Sequence, residues 1–159
     1  MKKAILIIGL VVPIGIFVFL KFFGKNEFVV PPLYTNDFPD GIKECGVSIT
    51  LPYHIPEDVK SSLLFSQDSL ILVHFGELST DSEKQLERVS NEFGKAIKLQ
   101  LMQASDSVMQ LKECVFFLKD RYDLVVVDRA GLIRGQYISG DREEGDRLLM
   151  ELAILFKKY

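Results

Sequence analysis

The sequence predicts a mixed α/β domain with the element order β-α-β-α-β-β-α, preceded by one N-terminal membrane helix. Two nearly continuous apolar runs, residues 69–75 and 123–128, have the composition of buried strands. Helical stripes of apolar residues alternate with the strand-like segments, which indicates an α/β rather than an all-α or all-β fold. A charge-free run at residues 4–20 predicts the membrane helix.

The composition fits one domain and an anchor. Of 159 residues, 48% are apolar and 26% are charged, as in a globular domain with a substantial core. The net charge of −3 argues against a nucleic-acid partner, because neutralising phosphates requires a basic surface. The chain has only two histidines and two cysteines, which limits the metal and acid–base chemistry available to it.

The apolar run at residues 4–20 is near the lower limit for a helix that spans a hydrocarbon core of ~30 Å. Lys21 can extend towards the interface, so that Phe22 and Phe23 lengthen the apolar span. No small-x-small pattern follows the run, which argues against a cleaved signal peptide. No cysteine follows the run closely, which argues against a lipoprotein. We therefore expect an uncleaved transmembrane anchor over residues 1–25.

The charges that flank this run favour a cytoplasmic N terminus. The amino group, Lys2 and Lys3 precede the run, and Lys21 and Lys25 follow it, so the positive-inside bias is small. In a bacterium this orientation predicts a single-pass protein of the cell inner membrane with its folded domain facing the periplasm.

Residues 26–64 are predicted to be an extended linker and a lead-in segment. Three prolines and few periodic apolar positions in residues 26–40 indicate an extended chain. Residues 46–56 contain two prolines and are expected to form an edge strand or an extended stretch. The folded domain is predicted over residues 65–159.

The first half of the domain is predicted to be a strand, a helix and a second strand. Residues 69–75 form the first strand, and Thr80 with Glu83 three places later forms a capping box for the helix. Gly94 is the expected helix stop, and residues 96–102 alternate as a second strand. The inward stripe of the helix consists of Leu86, Val89, Phe93 and Ile97.

The second half adds a helix, a hairpin and a closing helix. Ser105 caps a helix of about 13 residues, and residues 123–128 form a buried strand. A glycine turn connects it to an outer strand at residues 132–138. Asp141 caps a final amphipathic helix that runs to Lys158. Two parallel crossovers followed by a hairpin and a helix are typical of a thioredoxin-like sheet.

A family resemblance is carried by residues 125–137 (VVVDRAGLIRGQY), 139–148 (SGDREEGDRL) and 85–89 (QLERV). They resemble the hairpin, the start of the last helix and the first helix of the SCO/SenC proteins. The resemblance covers residues 65–158 and is most specific in the last forty of them. It implies a membrane-anchored, exported, thioredoxin-like domain. It also implies a part in copper delivery to cytochrome oxidase and in thiol–disulfide chemistry.

The sequence departs from this family at the residues that carry its chemistry. The family has a CxxxC motif after the first core strand and a histidine before the hairpin strand. Here Ser79 and Thr80 follow the strand that ends at Phe75, and no histidine lies at residues 120–122. Thiols at a helix N terminus react because the helix dipole lowers their pKa, and Cu(I) prefers thiolate ligands. Hydroxyls supply neither property, so we predict no catalytic, cofactor-binding or metal-ligating residue.

Cys45 and Cys114 are the remaining candidate pair. In an exported domain two cysteines favour a structural disulfide, here closing a loop of about 70 residues worth about 4 kcal/mol. The alternative is two unpaired thiols, with Cys114 on the apolar face of its helix. His74 is expected to be a structural strand residue, and His54 a packing or hydrogen-bonding residue.

The sequence therefore predicts an SCO/SenC-like, thioredoxin-fold membrane protein without redox catalysis and without a cofactor. Its expected role is that of an accessory or interaction module, and the resemblance alone suggests a protein partner in respiratory oxidase assembly. The alternative is a residual copper-binding or thiol–disulfide protein that uses Cys45 and Cys114. No Ser-His-Asp spacing, P-loop or dinucleotide fingerprint indicates a conventional enzyme.

Overall fold

The structure is a computed structural model that describes residues 11–19, 21, 28–37, 45–46, 49–63, 70–119 and 121–156. Residues 11–19 are helical and exposed. Within the described residues, no helix is long and apolar enough to span a membrane. Much of the predicted anchor, residues 1–10, 20 and 22–25, lies outside this part of the chain, and the anchor stays a prediction.

Four strands form one mixed sheet in the described part of the chain. They are β1 (Leu70–Phe75), β2 (Ile97–Met102), β3 (Leu124–Val127) and β4 (Ile133–Tyr137), in the spatial order β2-β1-β3-β4. Strand β1 is parallel to β2 and antiparallel to β3, and β3 is antiparallel to β4. The mixed α/β class predicted from the sequence is confirmed.

Besides the helical residues 11–19, the described part of the chain has four α-helices: α1 (Glu57–Ser62), α2 (Thr80–Phe93), α3 (Asp106–Cys114) and α4 (Arg142–Phe156). From β1 onwards the order is the predicted β-α-β-α-β-β-α. A 3₁₀ turn at Gly94–Ala96 follows α2. Helix α1 was not predicted, although it begins after Pro56 and has two acidic residues in its first turn, which is a recognisable helix start.

The prediction of a second parallel crossover is wrong. Strand β3 runs antiparallel to β1, with Leu124 opposite His74 and Val127 opposite Ile71. Helix α3 has nine residues rather than about 13, and it stops before Phe117, which takes a positive φ of 50°. The chain after α3 therefore returns to the end of the sheet at which β1 finishes, where the Phe75 amide donates to the Asp123 carbonyl at 2.8 Å.

The helix caps explain where the helices begin and end. The capping box predicted at Thr80 is wrong by one residue, because Ser79 keeps an extended backbone and its Oγ accepts the Ser82 amide at 3.1 Å. Gly94 ends α2 with a positive φ of 52°, as predicted. The predicted cap of the final helix is also confirmed, because Asp141 Oδ1 accepts the amide of Glu143 at 2.8 Å.

Apolar layers cover both faces of the sheet, which is why all six residues of β1 are buried. One layer joins alternate strand residues to the segments around α1 and α3. The other joins the intervening strand residues to α2 and α4. Strand residues of the first layer are Ile71, Val73, Phe75, Val125, Val127 and Ile133, and those of the second are Leu70, Leu72, Leu124, Val126 and Tyr137.

The segment that precedes α1 is docked on the domain, whereas the sequence predicts a linker followed by an edge strand or an extended stretch. Residues 49–56 form no strand, yet Tyr53 and Ile55 are buried. The Leu33 amide donates to the Ile133 carbonyl at 2.8 Å, and the Ile55 amide donates to the Gly131 carbonyl at 2.9 Å. The segment is attached by isolated hydrogen bonds and not by a β-ladder, because its prolines have no amide protons to donate.

Gly135 should not tolerate a side chain. The phenol of Tyr137, two residues on in β4, lies over Gly135, and a Cβ there would overlap its hydroxyl. Because Tyr137 is buried, Gly135→Ala should lower the free energy of unfolding by about 2 kcal/mol. Urea unfolding measures this change. Gly140→Ala is the matched control, since its added Cβ would meet Ser82 Oγ at an ordinary 3.4 Å. Equal costs for the two variants would contradict the prediction.

Candidate functional site

A cluster of polar side chains lies at the end of the sheet where β1 finishes and α2 begins. His74 belongs to β1, and Ser79 and Ser82 cap and form the first turn of α2. Asp123 immediately precedes β3, and Ser139 follows β4. Because β3 starts and β4 finishes at the end where β1 finishes, the antiparallel pairing brings these residues together.

A continuous chain of hydrogen bonds connects the cluster. Ser79 Oγ lies 2.8 Å from Ser82 Oγ, and Ser82 Oγ lies 2.8 Å from Ser139 Oγ. Ser139 Oγ is 2.7 Å from Asp123 Oδ2, and the Ser139 amide donates to Asp123 Oδ1 at 2.6 Å. Ser139 has a single hydroxyl proton, and the Asp123 carboxylate is the stronger acceptor. The Ser139 hydroxyl therefore donates mainly to Asp123, and its geometry also allows it to donate to Ser82 Oγ.

The network runs from the surface into the core. Ser79 is exposed and Asp123 is half-buried, whereas His74, Ser82 and Ser139 are buried. The backbone of Gly140 lies over the two α2 serines, and even a Cβ there would lie at an ordinary contact distance of 3.4–3.5 Å from their hydroxyl oxygens. Of the hydroxyl groups in this network, only that of Ser79 is therefore open to solvent.

His74 is held by one ring nitrogen. Its Nε2 lies 3.1 Å from Ser139 Oγ and 3.6 Å from Asp123 Oδ2, so the proton on Nε2 points at these oxygens. Its Nδ1 is buried and has no hydrogen-bond partner among the described residues. A Ser-His-Asp relay requires the serine and the carboxylate on different ring nitrogens. The geometry therefore gives His74 a structural role and activates no nucleophile.

The carboxyl group of Asp123 has a lowered pKa. Burial on its own would raise this pKa, but hydrogen bonds from His74 and Ser139 and the nearby imidazole together outweigh it. Asp123 therefore stays ionised and provides the negative end of the network. A carboxylate that is already bonded in this way holds the strands in place and is a poor proton acceptor for a substrate.

The predicted pair Cys45 and Cys114 forms a disulfide, with the two Cα atoms 5.5 Å apart. It connects the N-terminal segment to the last residue of α3. Residues of α3 pack in the layer that contains Val73 and Phe75, whereas α2 packs in the other layer. The sheet therefore separates the disulfide from the serine cluster, and the structure does not bring these candidate residues together.

His54 lies beside the disulfide and not in the serine cluster. It is exposed, and its Nδ1 donates to the Pro52 carbonyl at 3.0 Å, which fits the hydrogen-bonding role predicted for it. His54 and Cys114 both line a cavity of about 240 Å³. Within the described residues, no group of three or more histidine, cysteine or acidic side chains is placed to hold a metal ion.

A second polar cluster lies between β4 and α4. Arg147 stacks on the Tyr137 ring at 4.4 Å and donates to the Gln136 carbonyl at 2.7 Å. Glu144 and Glu151 pair with the same guanidinium, and Glu151 also accepts the Tyr137 hydroxyl. Burial and the neighbouring Glu151 raise the pKa of Tyr137. These charges satisfy one another, so the cluster fixes α4 on the sheet and offers no reactive group.

Sequence reasoning missed Asp123 and Ser139. The sequence did contain a signal for Asp123, because this polar residue stands at the start of the otherwise apolar run 123–128. Recognising its role required the antiparallel pairing of β1 with β3, which the sequence pattern did not predict.

No family model matches the chain, and no curated protein sequence is significantly similar to it.

Proposed function

We propose that this chain is a membrane-anchored, SCO/SenC-like protein with a thioredoxin-like fold that works as a binding or accessory module without redox catalysis. The observation that carries the proposal is the hydroxyl pair at the start of α2. Ser79 and Ser82 have the spacing of a CxxC pair, one residue closer than the CxxxC motif of the SCO/SenC proteins, and the Ser82 hydroxyl is used inside the network.

The strand arrangement supports the thioredoxin-like part of the proposal. The order β2-β1-β3-β4 keeps the parallel pair, the final hairpin and the helices on both faces that are expected of a sheet of this type, although β3 is antiparallel to β1 and the second parallel crossover is missing. Helix α2 follows the central strand β1 directly, so its N terminus lies where the resemblance places a reactive thiol pair.

The chemistry at this N terminus supports a non-catalytic role. A thiol pair at a helix start can exchange electrons because one thiolate is stabilised by the helix dipole. Serine hydroxyls have no comparable redox couple and do not ionise near neutral pH. Ser79 instead accepts the Ser82 amide, so the free amide that would stabilise an anion is used for capping.

The disulfide supports a location on the exported side of a membrane. Disulfides persist in oxidising compartments such as the periplasm and are rare in the cytosol. Together with the apolar run at residues 4–20, it supports a single-pass inner-membrane protein with a periplasmic domain. The partner in respiratory oxidase assembly is proposed on the resemblance alone.

Restoring thiols at Ser79 and Ser82 tests this proposal. The unmodified full chain should neither reduce insulin in the presence of a dithiol donor nor bind Cu(I) stoichiometrically. The double variant Ser79→Cys with Ser82→Cys should gain insulin reduction at least about tenfold above the unmodified chain, because the helix dipole then acts on a thiol. Glu87→Cys with Ser90→Cys places the same spacing on the exposed surface within α2, away from its N terminus, and is the matched control that should show no such gain.

Three results would contradict the proposal. Insulin reduction by the unmodified chain would show redox catalysis. Tight Cu(I) binding that is lost on Cys45→Ser and Cys114→Ser would favour the copper-binding alternative. Normal cytochrome oxidase activity after deletion of the gene from its host would contradict the accessory role in oxidase assembly.

A further inference from the structure

Strand β2 lies at one end of the sheet and carries two exposed leucines. Within the described residues, no strand pairs with the outer side of β2. Leu99 is 40% exposed and Leu101 is 51% exposed. Natural sheets usually protect such an edge with charge, proline or a bulge, because its free backbone groups can pair with another chain. The only charged residue of β2 is Lys98, which lies on the face opposite to the two leucines.

The backbone groups of these two leucines point outwards from the sheet. The Gly76 amide donates to the Met102 carbonyl at 2.9 Å, so Met102 directs its backbone groups towards β1. Successive residues of a strand direct their amide and carbonyl groups to alternate sides. Leu99 and Leu101 therefore offer their amides and carbonyls to an incoming strand. Their side chains lie on the same face of the sheet as Leu72 of β1, which is opposite Leu99.

An apolar cavity of about 160 Å³ lies beside Leu99, between β2 and α2. Its other lining residues are Leu72, Leu86, Val89, Ser90, Gly94 and Ile97. An apolar cavity of about 150 Å³ can hold a benzene molecule, so this one has room for a leucine side chain. The edge therefore combines a projecting apolar residue, Leu101, with an apolar recess two residues away along the strand.

We propose that β2 pairs with β2 of a second copy of this chain, about a twofold axis that passes beside Gln100. Antiparallel pairing in this register places Leu99 of each copy opposite Leu101 of the other, and Lys98 opposite Met102. Opposite side chains lie about 5 Å apart on the same face, so Leu101 of one copy reaches the cavity beside Leu99 of the other. Each copy supplies one projecting leucine and one cavity, so the surface is complementary to itself.

The other end of the sheet favours a closed pair over an open chain of copies. The Ile133 carbonyl of β4 accepts the Leu33 amide, and the Gln136 carbonyl accepts the guanidinium of Arg147. Outward-facing acceptors of β4 are therefore already bonded within the same chain. A β2 strand can pair with another β2 without displacing these contacts, but it cannot pair with β4. A twofold contact between β2 strands closes after two copies.

The contact should be weak in dilute solution. A single short strand pair buries less than the area of about 1,200 Å² at which standard interfaces begin, so we expect a Kd in the micromolar range. Copies held in one membrane would pair at a higher effective concentration. The inference requires neither the anchor nor the serine cluster, and it can fail while the proposed function stands.

Cysteine cross-linking of the full chain tests the position of the twofold axis. Gln100→Cys places two thiols opposite each other at a Cα separation of about 4.5 Å, which suits a disulfide. The native Cys45 and Cys114 are bonded to each other. Mild oxidation should give at least about five times more linked dimer for Gln100→Cys than for Lys98→Cys. Lys98 is the matched control, because it is equally partly buried on the same face, but its two copies lie about 13 Å apart along the strands.

A second substitution tests the leucine contact. Leu101→Lys in the Gln100→Cys chain places a charge at the apolar cavity and should lower the dimer yield at least about tenfold. Met109→Lys, at an α3 residue that is 53% exposed, should leave the yield unchanged. Circular dichroism verifies that each variant is folded.

Three results would overturn the proposal. Equal dimer yields for Gln100→Cys and Lys98→Cys would indicate random collisions. Dimers that persist with Leu101→Lys would show that the cavity does not hold the second copy. Cross-linking of Gln100→Cys in the host membrane only to a protein of different mass would show that another chain occupies the edge.

Discussion

Replacing the disulfide with Cys45→Ser and Cys114→Ser should lower the free energy of unfolding by about 4 kcal/mol. The bond joins residues 69 positions apart, so its loss returns a large loop-closure entropy to the unfolded chain. It also fixes the segment that places Tyr53 and Ile55 in the core. Guanidinium unfolding of the oxidised chain and of the double variant measures the difference.

Reduced, unmodified protein provides the control for this experiment, because it lacks the bond but keeps both cysteines. It should be as stable as the double variant. Tyr53→Phe should cost only about 1 kcal/mol, since it removes one hydrogen bond to Val115 and leaves the loop closed. A loss of under about 1 kcal/mol for the double variant would mean that the covalent bond adds little restraint.

The sequence was informative where a local signal and the tertiary fold agree. The run at 69–75 predicts a central strand, and β1 has apolar layers on both faces, so nearly every residue in it must be apolar. Ser105, Gly94 and Asp141 mark helix boundaries by capping chemistry, which depends only on neighbouring residues.

The sequence was uninformative where distant contacts decide the structure. Residues 116–118 continue the apolar pattern of α3, but the helix ends at Cys114 and Phe116 and Leu118 are buried in the core. Strand β3 then runs antiparallel to β1, which the sequence pattern did not predict. The docking of Tyr53 and Ile55 depends on Val115 and Gly131, which no periodicity in residues 46–56 indicates.

The residues of the candidate site also fall into those that the sequence can predict and those that it cannot. The Ser79 hydroxyl could be predicted, because Ser79 directly precedes an amphipathic helix, but the sequence pattern pairs it with Thr80 and not with Ser82. Ser139, the partner of Ser82, lies 57 residues after it, and the contact forms only through the sheet. Predicting it requires the direction of β3, which is the feature of the fold that the sequence pattern predicted wrongly.

Removing the carboxylate of the network, with Asp123→Ala, should destabilise the domain by about 3 kcal/mol at pH 7. The change leaves both the amide and the hydroxyl of Ser139 without their acceptor, and it removes the charge beside His74. Asp123→Asn is the matched control, because one carbonyl oxygen remains. It should lose about half as much, and since the Asp123 side chain is 31% exposed, solvent screens part of the charge effect.

The pH dependence of this loss gives the sharper test. The pKa of Asp123 is lower in the folded protein than in the unfolded chain, so ionisation favours folding. This contribution is fully present above the unfolded pKa, about 3.9, and is lost as the pH falls through the lower folded pKa. The difference in the free energy of unfolding between the unmodified chain and Asp123→Asn should therefore be widest at pH 6–7 and shrink below about pH 4.

Urea unfolding at intervals between these pH values follows this gap in stability, with the exposed Glu92→Gln as a control for general charge effects. A gap that stays constant down to pH 3 would mean that the carboxylate gains nothing from Ser139 and His74, and the network would then be a packing contact without an electrostatic role.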